Sequence, residues 1–316
     1  MNNSMNVAIA AISFLFCVSA AAKFPERPPE KSSVDRLDLG TSLAIFSNVT
    51  SENLKEAKDA GFLWIEVTVP KPMIFASRQE LESRFLKQKA LIDKAGLKIW
   101  SCHLPYGKVQ DISQLDDAAR KKAVQGEINV IRAVSVLHPH RLVLHPSSEP
   151  IADSVREKRI ADCIASVGVI RAVADSVGAI LCIENLPRTC LGRTSDEILR
   201  ITGPYEDVGV TFDTNHLLLE DQVHFVKAVG CKIKHIHVSD YDKTDERHWV
   251  PWQGVTDWGS LYNAVLATGY QGPWMSEATV DKASSTEAKV ARCTVWQVSK
   301  GYEMTLRAAS EALKKK

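Results

Sequence analysis

The clearest clue to the architecture of this 316-residue chain is the stretch Val208-Gly-Val-Thr-Phe-Asp213-Thr-Asn-His216. A short apolar run, typical of a buried strand, ends in an acid, and a histidine follows three residues later. The same pattern recurs along the chain, as a buried strand whose last residue is of a type that binds metals or transfers protons. These end residues are Glu66, His103, His145, Glu184, Asp213, His237 and Glu277.

Helical patterns separate these strands, and a glycine closes several of them. The first predicted strand is Leu37–Phe46, and the last predicted helix covers about Thr286–Leu313. Eight alternating strand–helix units indicate a parallel sheet covered by helices. The segment from Leu39 to Glu277 is close in length to the ~250 residues of a (β/α)8 TIM barrel, the fold predicted here. A doubly wound open sheet is the alternative, but no Gly-x-Gly-x-x-Gly follows the first strand.

The N-terminus has the pattern of a secretory signal. An apolar run from Val7 to Val18 is too short to cross a bilayer, and the small residues Ser19-Ala-Ala-Ala22 follow it. This predicts export to the periplasm or the exterior, with no stable membrane insertion after cleavage. A short membrane anchor is the alternative, because no Lys or Arg precedes the run. The predicted organisation is a signal peptide (1–22), a Pro-rich linker (23–36) and a barrel domain (37–316).

The charge balance argues against a nucleic-acid partner. Lys plus Arg is 39 and Asp plus Glu is 38, which gives a net charge of +1. Proteins that bind nucleic acid more often carry a basic excess, because phosphate contacts dominate their affinity. No nucleic-acid partner is therefore expected. The seven cysteines show no Cys-x-x-Cys spacing, so a zinc ribbon is not expected.

The polar strand ends are predicted to share one site. In a TIM barrel the active site lies at the C-terminal face of the strands, so the end residues converge there. Acids held close together resist joint ionisation, and a divalent cation relieves this conflict. Carboxylates with one or two imidazoles suit Mn²⁺, Mg²⁺ or Co²⁺ better than a thiolate zinc site would.

Spacing places several of these side chains more closely. Asp213 and His216 are three residues apart just past a strand, so both can face the mouth of the barrel. His235 and His237 are two apart on one strand and project to the same face. His237 is nearer the mouth and is the predicted ligand, whereas His235 is predicted to lie one layer deeper as a hydrogen-bonded interior residue. Glu66 has an alternative interpretation as a residue that only hydrogen-bonds a loop.

Four motifs in order resemble those of the sugar phosphate isomerase/epimerase family, within the xylose isomerase-like barrel superfamily. The motifs are Ile183-Glu184-Asn-Leu-Pro-Arg188, Phe212-Asp213-Thr-Asn-His216, His235-Ile-His237-Val-Ser-Asp240 and Gly269-Tyr-Gln-Gly-Pro-Trp-Met-Ser-Glu277. By resemblance to the ketose 3-epimerases of this group, one divalent metal ion is bound by Glu184, Asp213, His237 and Glu277. The expected ion is Mn²⁺, with Mg²⁺, Co²⁺ or Zn²⁺ as alternatives. The resemblance also makes Glu184 and Glu277 the acid–base pair, and barrels of this group often pair as homo-oligomers.

The residues expected to contact the substrate come partly from the resemblance and partly from the pattern. They are His103, His145, His216, Lys243, His248 and Trp252. The family's substrate-contacting histidine corresponds to His216, and its arginine six residues after the ligand histidine corresponds to Lys243. A further family glutamate is Cys190 here, so the part of the site that selects the sugar departs from the family. Trp252 could stack on a sugar ring or pack as a lid.

The chemistry implied is proton abstraction next to a carbonyl. A bound divalent ion polarises the carbonyl as a Lewis acid, Glu184 or Glu277 removes the α-proton, and the other returns one to the opposite face. This describes a metal-dependent sugar isomerase or epimerase that forms an enediolate. A leaving group β to the carbonyl would make the enzyme a lyase instead. Export favours an unphosphorylated sugar or keto-sugar, because free sugar phosphates are mainly cytosolic.

A second resemblance, to the abasic-site endonucleases with three zinc ions, gives another alternative. It is carried by His103-Leu-Pro-Tyr106, His145, Glu184, Asp213 with His216, His237, Glu246-Arg-His248 and Glu277. Glu246 stands where that family has Asp. The near-zero net charge and the predicted export argue against a zinc-dependent phosphodiesterase of this kind. A sugar-binding barrel without activity is disfavoured, because all four metal-ligand positions are filled.

Overall fold

A computed structural model describes residues 37–46 and 48–278, and within these ranges strands and helices alternate along the chain. The strands are β1 Leu39–Ser42, β2 Trp64–Thr68, β3 Lys98–His103, β4 Arg141–Leu144, β5 Ile180–Glu184, β6 Gly209–Asp213, β7 Ile233–His237 and β8 Trp274–Ser276. The α-helices are α1 Ser51–Asp59, α2 Arg78–Lys94, α3 Asp117–Val134, α4 Asp153–Ser176, α5 Ser195–Thr202, α6 Gln222–Val229 and α7 Trp258–Ala267.

All eight strands are parallel and form one sheet in the order β7-β6-β5-β4-β3-β2-β1-β8. The edge strands β7 and β8 meet just beyond their ends, through a parallel bridge between Val238 and Ser276. The Val238 amide donates to the Met275 carbonyl at 2.8 Å, and the Glu277 amide donates to the Val238 carbonyl at 3.0 Å. The sheet is thus a nearly closed barrel with its seam joined at the mouth. The predicted (β/α)8 barrel is confirmed, and the open-sheet alternative is wrong.

The helices begin and end where local chemistry dictates. At the start of α2, the Ser77 hydroxyl accepts from the Glu80 amide while the Glu80 carboxylate accepts from the Ser77 amide, a complete capping box. After α4, Gly178 adopts a φ of 77°, a left-handed conformation that costs glycine least. The first strand is shorter than predicted, because a 3-10 turn over Leu43–Ile45 follows Ser42.

Two layers of side chains with opposite character lie on either side of the sheet. Outward-facing strand residues such as Ile65, Ile183 and Phe212 pack beneath the helices in a continuous apolar core. Inward-facing residues alternate with them and are polar although buried. They include Glu66, Ser101, His103, Glu184, Thr211, Asp213, His235 and His237. TIM-barrel interiors are usually filled by branched aliphatic residues, so this polar interior marks the region of the site.

The predicted signal peptide, the linker and the last helix at about Thr286–Leu313 lie outside the described residues and stay predictions. Within residues 37–46 and 48–278, no helix has both the length and the apolar character needed to cross a membrane. The cysteines of this part of the chain are all free, and all but Cys231 are buried.

Candidate active site

Four of the predicted residues meet at the mouth of the barrel around the ring of His237. Its Nδ1 lies 3.1 Å from Glu184 Oε1, 3.4 Å from Glu277 Oε2 and 3.8 Å from Asp213 Oδ2. One ligand atom from each of the four residues lies within 4.8 Å of all the others. The structure therefore brings together one imidazole and three carboxylates, contributed by the ends of β5, β6, β7 and β8.

This four-residue cluster fits a divalent cation. Asp213 Oδ2 and Glu277 Oε2 are buried and have no hydrogen-bond partner among the described residues. Leaving such oxygens unsatisfied is costly, and a cation at this point would satisfy both. Oxygen-rich donor sets with one imidazole are typical of sites for Mn²⁺, Mg²⁺ and related ions.

The electrostatics of the cluster also favour added positive charge. Burial lowers the pKa of His237, but the neighbouring charges of Glu277, Glu66 and Glu184 outweigh it and raise that pKa well above its ordinary value. Burial raises the pKa of Glu277 to about 8, against the opposing charge of His237. Burial acts in the same sense on Glu184, yet the charges of His237 and His145 hold its pKa well below the usual range. The cluster is therefore stabilised by an added positive charge, and a proton provides this charge when no metal is bound.

One wall of the mouth is built by His103, the last residue of β3, and His145, which follows β4. Their Nε2 atoms lie 3.3 Å and 3.0 Å from Glu184 Oε2. The other nitrogen of His103, Nδ1, bonds the Leu104 carbonyl at 2.8 Å, which fixes the ring. The ring of Tyr106 stacks on His145 with centroids 4.5 Å apart. Sequence reasoning quoted Tyr106 only as part of a motif, and its stacking makes it a further residue of this wall.

The opposite wall is built by His216, Glu246 and His248. His216 bonds the Asn185 carbonyl through Nδ1 at 2.9 Å, and its Nε2 lies 3.2 Å from Glu246 Oε2. His248 Nδ1 bonds the Glu277 carbonyl at 3.2 Å. Ligand atoms of the three residues are close enough to form a second potential metal-binding group. Glu246, which the sequence marked only as a departure from a motif, is thus a site residue.

Two predicted residues lie apart from these clusters. Lys243 and Trp252 belong to the loop between β7 and α7, where both are exposed and have positive φ values of 62° and 77°. Glu66, expected at a strand end, lies deeper instead, because β2 continues to Thr68. His235 also lies below the mouth, hydrogen-bonded to Glu66 at 3.0 Å, as the sequence indicates.

With this geometry established, comparison with known proteins assigns the family. The family model described as xylose isomerase-like TIM barrel matches residues 54–294, more than half of the chain. The chain belongs to that family. The predicted xylose isomerase-like fold is confirmed by this match.

Three solved structures with the same fold are distant in sequence from this xylose isomerase-like barrel. A D-tagatose 3-epimerase-like protein superposes with a TM-score of 0.71 at 18% identity, over 88% of this chain and 100% of that one. A D-psicose 3-epimerase gives 0.67 at 19% identity over 86% and 97%. A 3-keto-D-glucoside 4-epimerase from E. coli gives 0.64 at 18% over 86% and 99%. At such identities these likenesses show the fold.

One relative is closer in sequence but over a short region. An inosose dehydratase from Lacticaseibacillus casei is 30% identical over 109 residues, which covers 28% of this chain and 36% of that protein. The chain thus matches about a third of that relative's length. Together the comparisons show a xylose isomerase-like TIM barrel.

The loop that carries Lys243 and Trp252 is held to the xylose isomerase-like barrel by one buried acid. Asp240 Oδ2 accepts from the amides of Trp252 and Gly254, both at 2.9 Å. A Cβ at position 254 would lie 2.1 Å from the Tyr241 carbonyl oxygen, so the close approach there requires glycine. This arrangement gives the loop a fixed conformation above the mouth.

A single arginine connects three loops at the rim. Arg188 donates from Nε to Glu149 at 2.8 Å, from Nη1 to Asp245 at 2.6 Å and from Nη2 to Glu246 at 3.0 Å. Because Glu246 contacts His216, the arginine connects the rim of the barrel to the inner wall of the site. Sequence reasoning quoted Arg188 within a motif but assigned it no role.

Proposed function

We propose that this chain is a metal-dependent sugar isomerase or epimerase that acts on an unphosphorylated sugar or keto-sugar. The observation that carries the proposal is the cluster of Glu184, Asp213, His237 and Glu277, with two buried carboxylate oxygens that lack hydrogen-bond partners among the described residues. The fold shared with ketose epimerases supports it.

The four-residue cluster would hold the cation, with Mn²⁺ as the expected ion and Mg²⁺, Co²⁺ or Zn²⁺ as alternatives. When bound, such an ion supplies a Lewis acid for the substrate carbonyl. The chain itself supplies the proton transfers. Glu184 and Glu277 come from different strands, so one removes the proton α to the carbonyl and the other returns a proton from a second direction.

The remaining polar residues of the mouth bind and orient the sugar. His103 and His145 line the side next to Glu184, His216 lies beside Asp213, and His248 lies beside Glu277. Imidazoles both donate and accept hydrogen bonds, which suits the hydroxyls of a sugar. Lys243 and Trp252 lie on the exposed loop above, where they would contact the outer part of the substrate.

The test combines metal analysis with solvent-deuterium exchange. Wild-type protein is expected to contain one Mn²⁺, Mg²⁺ or Co²⁺ per chain and to incorporate deuterium at the α-carbon of a keto-sugar. Glu277→Gln should lose about 10²–10⁴-fold of the exchange rate, the usual contribution of a general acid or base. Asp213→Asn should lose the metal, whereas Asp221→Asn, which alters only the exposed cap of α6, should keep it. Metal-free wild type with no exchange into any keto-sugar would exclude the proposal.

A lyase is the second candidate, and the local similarity to an inosose dehydratase favours it. The same α-proton removal expels a leaving group when one lies β to the carbonyl. Incubation with a keto-glycoside separates the two: an isomerase or epimerase returns an isomer with deuterium, whereas a lyase releases the β-substituent.

A zinc-dependent phosphodiesterase is the third candidate. The groups His103–His145–Glu184 and His216–Glu246–His248 adjoin the four-residue cluster and favour more than one metal ion. The net charge of +1 gives no general attraction to DNA. Two or three zinc ions per chain, cleavage of DNA at abasic sites and no deuterium exchange would establish this function instead.

We further propose that the protein is exported and carries its activity outside the cytoplasm. Fractionation with N-terminal sequencing of the mature chain should find a new N-terminus near residue 22. A homo-oligomer is compatible with the barrel, and light scattering of the mature protein measures its state.

A further inference from the structure

Directly beneath the four-residue cluster, a continuous hydrogen-bonded chain joins the half-buried Trp100 to the buried His235, Glu66 and Ser101 and reaches His237 above them. Trp100 donates from Nε1 to His235 Nδ1 at 3.1 Å. His235 Nε2 and His237 Nε2 each lie 3.0 Å from Glu66 Oε2. Ser101 Oγ donates to the same oxygen at 2.8 Å. Glu66, His235 and His237 are fully buried, so water does not compete for these bonds.

The directions of the bonds in this chain follow from Trp100 at one end and from the carboxylate of Glu66, which only accepts when ionised. An indole N–H only donates, so His235 Nδ1 must accept. The neutral ring of His235 therefore carries its proton on Nε2 and donates it to Glu66. Glu66 then acts as the acceptor for Ser101, for His235 and for the Nε2–H of His237. With its Nε2 committed to Glu66, His237 presents Nδ1 to the carboxylates of Glu184, Asp213 and Glu277.

We propose that Glu66 is a positioning residue that fixes the tautomer and ring orientation of His237, so that Nδ1 is the atom offered to a metal ion. Trp100 and His235 act through Glu66 by fixing its acceptor direction. The effect on metal affinity depends on the proposed function, whereas the bond from His237 Nε2 to Glu66 is a property of the chain alone. Partners of metal-binding histidines of this kind are worth about 10–100-fold in metal affinity.

Burying polar and charged side chains inside the barrel costs free energy, which indicates that this layer has a role. Interiors of TIM barrels are normally closed by branched aliphatic side chains, which need no hydrogen bonds. Replacing a buried ionic group by well-packed apolar residues is often neutral or stabilising. A layer built of Glu66, His235 and Trp100 is thus not needed to fill the barrel, and its position under His237 links it to the site.

The decisive variant is Glu66→Gln, which keeps the shape and removes the charge. Isothermal titration calorimetry measures the binding of Mn²⁺ to the metal-stripped protein. The variant is expected to bind Mn²⁺ about 10–100-fold more weakly than the wild type. The matched control is Glu127→Gln, the same substitution at another fully buried glutamate, which lies on α3 and has no hydrogen-bond partner among the described residues. It should change Mn²⁺ affinity less than about two-fold, since Glu127 lies outside the hydrogen-bonded chain that reaches His237.

A second measurement detects the Nε2–H bonds to Glu66 without any metal. In ¹⁵N-histidine NMR spectra of the metal-stripped wild type, His235 and His237 should each show a slowly exchanging, downfield Nε2–H. Both signals should move upfield or exchange faster in Glu66→Gln and stay in place in Glu127→Gln. Trp100→Phe retains an aromatic ring and removes only the hydrogen bond to Nδ1 of His235, so the His235 signal should show a mixture of tautomers. This variant keeps the test available if Glu66→Gln fails to fold.

The outcomes separate this inference from the proposed function. Wild-type protein that binds no divalent ion refutes the metal-dependent function, yet the NMR spectra still decide whether the Nε2–H groups of His235 and His237 bond Glu66. Unchanged His235 and His237 signals in both Glu66→Gln and Trp100→Phe would overturn the inference. So would Mn²⁺ affinity in folded Glu66→Gln equal to that of Glu127→Gln. Loss of thermal stability with unchanged affinity and signals would assign Glu66 a structural role only.

Discussion

Glu66 and Glu127 are both fully buried glutamates, yet they lie on opposite faces of the barrel wall and have opposite electrostatics. Burial raises the pKa of each, but His237 and His235 outweigh it at Glu66 and hold that pKa well below the usual range. Glu127 lies on the barrel-facing stripe of α3, where no neighbouring charge opposes the effect of burial. Its pKa therefore lies well above the usual range of a glutamate. Burial alone therefore does not set the charge of a side chain; the partners on its side of the sheet do.

The largest expected difference between these two regions is in stability. Glu66→Ala leaves the buried N–H groups of His235 and His237 without their acceptor, which should lower the free energy of unfolding by about 3–5 kcal/mol. Glu127→Ala removes a carboxyl that has no hydrogen-bond partner among the described residues, so its loss should be smaller. Urea denaturation of both variants at pH 7 measures the difference. Equal losses would mean that the partners of Glu66 contribute nothing.

The next expected effect is the pH dependence of Glu127→Gln. Because its pKa is raised on folding, Glu127 binds its proton more tightly in the folded state. The contribution of this tighter proton binding to the free energy of unfolding is present in full below the unfolded-state pKa of about 4.3. It is lost as pH rises through the folded-state pKa. Gln has no carboxyl that must ionise or stay protonated in the buried site. The free energy of unfolding of the variant should therefore increase relative to the wild type as pH rises, by about 1–3 kcal/mol at neutral pH. Urea titrations at pH 4 and pH 8 test this, and a gain independent of pH would contradict it.

The smallest expected effect on stability is at the rim. Arg188→Met breaks ion pairs that are about one-third exposed, which should cost only about 0–1 kcal/mol. Glu246 then loses its ion-pair partner, and His216 loses a neighbour held in place. Because partners of site residues typically contribute about 10-fold, kcat/KM should fall by about that factor. Lys89→Met, which breaks the exposed pair with Asp93 on α2, is the matched control for a surface charge. Equal kcat/KM values in both variants would leave Arg188 without a role in the site.

Much of the site could be predicted because parallel strands end at one edge of the sheet. This rule alone places Glu184, Asp213 and His237 together, and their spacing from apolar neighbours reveals which face they occupy. The depth of Glu66 could not be predicted in this way. The pairing of β2 with β3 shifts register between Ile65 and Glu66, and β2 continues to Thr68, so the glutamate lies below the mouth.

Other features depend on contacts that local sequence does not encode. Arg188 and Glu246 are 58 positions apart and meet only because two loops fold over the same mouth. Glu127 is of a residue type that usually lies on a helix surface, and only its place in the apolar stripe with Ala123 and Val130 reveals its burial. Such residues need the three-dimensional arrangement before a role can be assigned.

The seam between β7 and β8 has a consequence for how the protein matures. His237 directly precedes Val238 and Glu277 directly follows Ser276, the two residues of the bridge that joins the edge strands. Two of the four cluster residues therefore face each other across the last junction of the ring, and the cluster is complete only when that junction has formed. A cation held between them would stabilise the joined seam by mass action, so a chelator is expected to destabilise the seam before it affects the rest of the barrel.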